Sequence, residues 1–148
     1  MIFMVFFLVL YGIMTYGMIF TAQQSLNLAA HDGARRALQW QGGAGHMQRR
    51  AEAARNLAMQ QADWITTISG APLAVAVCGK AGPLSATDGA TCSGLALADD
   101  QFEVIVSYPY GAHPLIPNLP LVDRAMVPDI LQARASVRLS DLAANGGA

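Results

Sequence analysis

Cys78 and Cys92 stand fourteen residues apart, on either side of a stretch rich in Gly, Ser, Thr and Asp (GKAGPLSATDGAT, residues 79–91). Joined as a disulfide, they would close a loop worth on the order of 3 kcal/mol by chain entropy, and such a bond persists only in an oxidising compartment. Two unrelated buried thiols are the competing reading. Zinc is disfavoured, because no His lies at ligand spacing from either cysteine. The histidines, His31, His46 and His113, fall in no H-E-x-x-H pattern, and neither G-x-S-x-G nor a P-loop is present. They read as surface or helix-end residues. Asp99 and Asp100 are adjacent acids before a strand, the usual setting of turn residues, and residues 79–93 lack the acidic spacing of an EF-hand. The expectation is a non-enzyme with no catalytic residues, no metal, no cofactor and no small-molecule substrate.

The elements around the cysteines begin with an apolar run. Residues 1–30 contain no Asp, Glu, Lys or Arg, and the first twenty, MIFMVFFLVLYGIMTYGMIF, are almost wholly apolar. About 20 helical residues cross a bilayer core of about 30 Å. A secretory signal would show a basic n-region, a shorter apolar stretch and a small-x-small cleavage site. This run is longer and passes without a helix breaker into TAQQSLNLAAHDGARRALQW, where Ala22, Leu26, Ala29, Gly33, Ala37 and Trp40 recur at helical spacing while Asp32, Arg35 and Arg36 fall off that stripe. One helix is therefore predicted from the start to about Trp40, with 1–20 as its transmembrane half and 21–40 projecting.

Its small residues set the expected packing positions. Gly12 and Gly17 permit close approach in a bundle of like helices, and Ala29, Gly33 and Ala37 leave a shallow groove for the protein's own sheet or for a neighbouring subunit. Read literally, the positive-inside rule uses Arg35 and Arg36 to put the domain in the cytoplasm. The cysteine argument outweighs it, because those arginines lie about fifteen residues past the apolar run, near the limit of the rule.

Residues 21–148 then form one extracytoplasmic domain. The 53% hydrophobic content mixes the apolar run with an Ala- and Gly-rich remainder, so the core must be modest. A net charge of -1 gives no general attraction to nucleic acid; residues 31–60 alone are basic, with five Arg against Asp32 and Glu52. Glycines in QGGAG (41–45) end the long helix. A second helix is predicted over 46–66, with Met47, Ala51, Ala54, Ala58, Ala62 and Ile65 inward and Arg49, Arg50 and Arg55 on a solvated face. Strands are expected at 72–78, 102–110 and 133–140; in the last, Ala133, Ala135, Val137 and Leu139 alternate with Arg134, Ser136, Arg138 and Ser140. Between the last two, Pro109, Pro114, Pro117, Pro120 and Pro128 mark an irregular segment, too apolar to be freely solvated, with a short helix around 121–131. The fold class is α+β: a long helix, a second helix, and a three- to four-stranded antiparallel sheet packed on the long helix.

Residues 6–40, FFLVLYGIMTYGMIFTAQQSLNLAAHDGARRALQW, place an internal glycine and an aromatic in an apolar run that leads into a small-residue helix with Ala29, Ala30, Gly33, Ala34, Arg35 and Ala37. This pattern, with VSYPY at 106–110 and the late strand ARASVRL, resembles a TadE-like minor pilin (pseudopilin) of the Tad or Flp tight-adherence system, a branch of the type IV pili. The resemblance implies a pilin-like fold and a non-enzymatic role in pilus assembly and adhesion. The protein would wait in the bacterial inner membrane with its domain in the periplasm, its helix pairing with other pilins and assembly proteins and carrying it into a surface filament. It also implies a basic leader, a glycine cut by a prepilin peptidase and a glutamate early in the mature helix. Residues 1–148 supply none of these, whether the start is internal, the chain truncated or processing absent, so the methylated terminus and glutamate contact fall on no residue here. The competing expectation is a bitopic scaffold or ligand-binding domain of the cell envelope that enters no filament; a secreted enzyme would need catalytic residues the sequence lacks.

Overall fold

A computed structural model describes residues 2–39, 44–117 and 127–140. With no Pro to interrupt it, and despite Gly12 and Gly17, the N-terminal run forms a single helix, α1 (Ile2–Leu38), about 55 Å long at 1.5 Å per residue. Trp40 and residues 41–43 lie outside the described residues. Gly45, at φ 72°, opens α2 (His46–Ser69), and Gly70, at φ 69°, ends it with its N–H donated to the carbonyl of Thr66 at 2.8 Å. Both glycines take the left-handed conformation that side chains disfavour. α2 runs three residues beyond the expected 66.

Four strands follow: β1 (Ala74–Gly79), β2 (Gly82–Ala86), β3 (Gln101–Tyr108) and β4 (Leu131–Arg138). They form one antiparallel sheet in the order β2-β1-β3-β4. β2 lies within the stretch between the cysteines that reads as loop. Leu131, expected in a short helix, instead opens β4; residues 121–126 of that expected helix lie outside the described residues.

Register puts Val77, Val104 and Ala135 in one row on the inner face, with Val75, Val106 and Ala133 in another. That face packs on the helices. α1 lies along β3 and β4, and α2 lies beside α1 and over the β1–β2 side. The core is built from this inner face, the alanines of both helices, Leu26, Ile65, Phe102, Tyr108 and Tyr110. On the outer face, Cys78, Glu103 and Ser136 form a row across three strands.

Candidate functional site

α1 changes character along its length. Every side chain from Ile2 to Leu10 is exposed, beginning with Ile2 at 88%, whereas Ala22, Leu26, Ala29, Ala30, Gly33, Ala34 and Ala37 are buried. The helix is long and apolar enough to cross a membrane. It is not a core helix, because leaving nine large apolar side chains in water would cost on the order of 10 kcal/mol.

Small residues on the packed half bring α2 close. A Cβ on Gly33 would stand 3.1 Å from the Ala54 carbonyl oxygen, 3.2 Å from Ala58 Cβ and 3.4 Å from Val104 Cγ1. Ala29 and Ala37 are fully buried on the same stripe, so the groove formed by Ala29, Gly33 and Ala37 is filled by the protein's own second helix and sheet. A Cβ on Gly12 or Gly17 would meet nothing within 4 Å. Among the described residues, no other part of the chain fills the space beside those two glycines.

The contact between α1 and the domain begins inside the apolar run. The Tyr11 hydroxyl donates to the Pro117 carbonyl, and Thr15 is buried. Residues 109–117 thus lie alongside the stretch that hydropathy alone assigns to the membrane. Tyr108 and Tyr110 meet edge to face there, with ring centroids 6.4 Å apart. Burial, with Tyr11 and Tyr108 nearby, pushes the Tyr110 hydroxyl above its ordinary pKa. Leu115 and Val127 pack on the core, as their apolar character requires.

Cys78 and Cys92 are bonded, with Cα atoms 6.0 Å apart. The bond folds the segment after β2 back over the outer face. Thr87 helps to hold it, its N–H donating to the Val75 carbonyl at 2.9 Å while its hydroxyl accepts from the Val75 N–H at 2.8 Å. Beneath this flap Glu103 is 2% exposed, accepting from the Ser93 hydroxyl at 2.6 Å and facing Arg134 Nε at 3.5 Å. Alternation in FEVIVSY puts Glu103 on the wet face; the cysteine-tied flap is what buries it.

Arg50, expected on the solvated face of α2, is 5% exposed, and its Nη1 reaches the Ala37 carbonyl at 3.5 Å. The last carbonyls of α1 lack helical partners and carry the negative end of its dipole, which draws the guanidinium inward. Asp99 pairs with Lys80 at 2.7 Å, an exposed contact of little energetic weight. Asp100 instead ties the end of β4: its carbonyl accepts from the Leu139 N–H at 2.9 Å and its carboxylate from the Ser140 N–H at 3.3 Å. The Ser140 side chain, hydrogen-bonded to the same carboxyl, holds its pKa below the ordinary value. The two acids serve separate partners, as turn residues do. His31, His46 and His113 are exposed on three different elements, and among the described residues no group of three His, Cys, Asp or Glu could hold a metal ion.

The arrangement defines an α+β domain carried on a membrane-capable helix. The model of the family described as TadE-like protein matches residues 1–35, which is α1 almost to its end, so in that helix the chain is similar to TadE-like proteins of the Tad system. No curated protein and no solved structure matches it.

Proposed function

We propose that the protein is a minor pilin or pseudopilin of a Tad/Flp pilus. α1 holds it in the bacterial inner membrane with its domain in the periplasm, and the same helix carries it into a filament or its initiating complex. The role is structural and not enzymatic. The observation that carries this reading is the apolar stretch Ile2–Leu10 of α1, every side chain of which is exposed among the described residues. Leaving lipid is feasible for such a helix only if other helices supply an equally dry surface, and Gly12 and Gly17 let them come close. The match over residues 1–35 falls on this element, and the disulfide supports a periplasmic domain.

N-terminal sequencing of the natural protein, in parallel from membranes and from sheared surface material, tests the reading. Recovery of a processed chain with the filaments is the expected result. An unprocessed chain confined to membranes would make it an anchored scaffold of the envelope instead. Orientation is tested in whole cells with a thiol-reactive polyethylene glycol, which should shift the protein on a gel only after reduction.

A further inference from the structure

We propose that residues 109–117, with the exposed side chains of Ile68 and Ile130, form a lipid-facing foot that reaches from the outer interfacial layer into the outer leaflet of the bilayer crossed by α1. The proposal rests on α1 being a membrane span.

Contacts along α1 fix the height of each part. Trp64 Nε1 donates to Ser25 Oγ at 2.8 Å, and α2 runs back along α1, so Ile68, about one turn later, comes level with the end of the apolar run. Gln23 Nε2 donates to the Gln132 carbonyl at 2.8 Å, which places the start of β4 at the same level and Ile130 just beyond it. Ile68 is 57% and Ile130 63% exposed. Residues 109–117 reach further, to Tyr11, about 13 Å along the helix from Phe20. Across α1 at this height, Ile13, Met14, Tyr16 and Phe20 are exposed and apolar. Whatever dry medium covers them also surrounds the foot.

The foot is chemically prepared for that medium. An irregular segment in lipid must satisfy its own backbone. Pro109, Pro114 and Pro117 have no N–H to satisfy. Of the six N–H groups in the segment, those of Tyr110, Gly111 and His113 donate to the carbonyls of Tyr108, Asp129 and Pro109 at 3.0, 2.7 and 3.0 Å. The carbonyls of His113 and Pro117 accept from the hydroxyls of Tyr108 and Tyr11. Residues 109–117 contain no Asp, Glu, Lys or Arg, and tyrosines are favoured where a membrane meets water. Lys80, Asp99, Asp100 and Arg138 lie at the opposite end of the sheet, while at the foot the exposed Asp129, beside Gly111, and His113 mark the side that must stay toward water. Continuity with the apolar face of α1 selects lipid as the occupant of the rest.

The test uses the full chain, disulfide intact, in phosphatidylcholine–phosphatidylglycerol vesicles at high lipid excess. An environment-sensitive fluorophore is placed in turn on Ile116→Cys, Ile130→Cys, Val5→Cys and, at the opposite end of the sheet, Asp99→Cys. Nitroxide-bearing lipids should quench the labels at 5, 116 and 130 by about twofold or more relative to the label at 99. Ile130 lies outside the core, so it reports even if the half-buried Ile116 position does not tolerate a label. Quenching at 5 with water-like behaviour at 116 and 130 would overturn the foot and leave the span intact. Failure at 5 as well would overturn the span and the foot together. Shielding at 116 and 130 that ignores the lipid nitroxide and grows with protein density would assign the surface to a second copy, and that too would overturn the proposal.

Discussion

The two halves of α1 invert the usual relation between side-chain size and burial. Residues 2–10 carry Phe, Ile, Leu, Met and Val and bury none of them, whereas the half inside the domain buries Ala22, Ala29, Ala30, Gly33, Ala34 and Ala37 with one large partner, Leu26. In water the opposite distribution would be favoured, since burial returns free energy in proportion to apolar area. The difference shows that one helix is matched to two surroundings. Its bare half is matched to a dry medium supplied from outside, where size gives area for contact. Its packed half is matched to a second helix whose backbone comes within reach of Gly33, where size would push the elements apart.

The comparison is broken most directly by charging the bare half. Val5→Arg should cost insertion about 3 kcal/mol, read as a shift of the protein from the membrane to the soluble or degraded fraction. The domain's melting temperature in detergent should not move, because Val5 touches none of it; a lower melting point would mean that the halves are coupled. Next in size is a matched pair of glycine substitutions. Gly33→Val drives a branched side chain into Ala54, Ala58 and Val104 and should destabilise the domain by about 2 kcal/mol in denaturant melts. A Cβ at Gly12 meets nothing within 4 Å among the described residues. Gly12→Val should leave the melt unchanged and lower incorporation into filaments, whereas equal effects in the melt would erase the distinction between the halves.

Which parts were legible follows from where the physics is local. The 3.6-residue stripe in α1, the alanine face of α2 and the alternation in β4 are period signals, and the chain forms these elements close to the expected bounds. β2 was not legible, because GPLSA has no β-branched residue and contains a Pro and a Gly. It is an edge strand held by pairing with β1 across an irregularity at Val77 and Cys78, and proline is tolerated at such an edge. The burial of Glu103 and Arg50 was equally hidden. Each is drawn in by a partner distant in sequence, the flap closed by Cys92 in one case and the end of α1 in the other. The filling of the Ala29–Gly33–Ala37 groove from within the chain also needed the structure, because small-residue spacing is the same whichever helix approaches. At the site itself, hydropathy put the apolar run in the membrane but gave no sign that residues 109–117 lie alongside it. Tyr11 makes that contact, and a lone tyrosine in an apolar run carries no such information.

The smallest expected effect separates the halves by pH. Residues 1–30 hold no Asp, Glu, Lys or Arg, so acid acts on the packed domain alone, and Asp100 is one carboxylate whose sign is fixed. Its hydrogen bonds to Ser140 lower its folded pKa below the ordinary 3.8. The unfolded chain therefore takes up this proton first as pH falls. Stability from the group is complete above the ordinary value and is lost as pH drops through the lowered one. Asp100→Asn keeps the shape and removes the charge, so its melting temperature should lie slightly below that of the natural protein at about pH 7 and converge with it in strong acid. Asp100 stands half-exposed at the surface, which keeps the difference small. A gap that stayed constant through the acid range would mean that the tie to Ser140 acts through shape and not charge. Partition of α1 into lipid should not change over the same range, and a change there would show that the bare half depends on a titrating group of the domain.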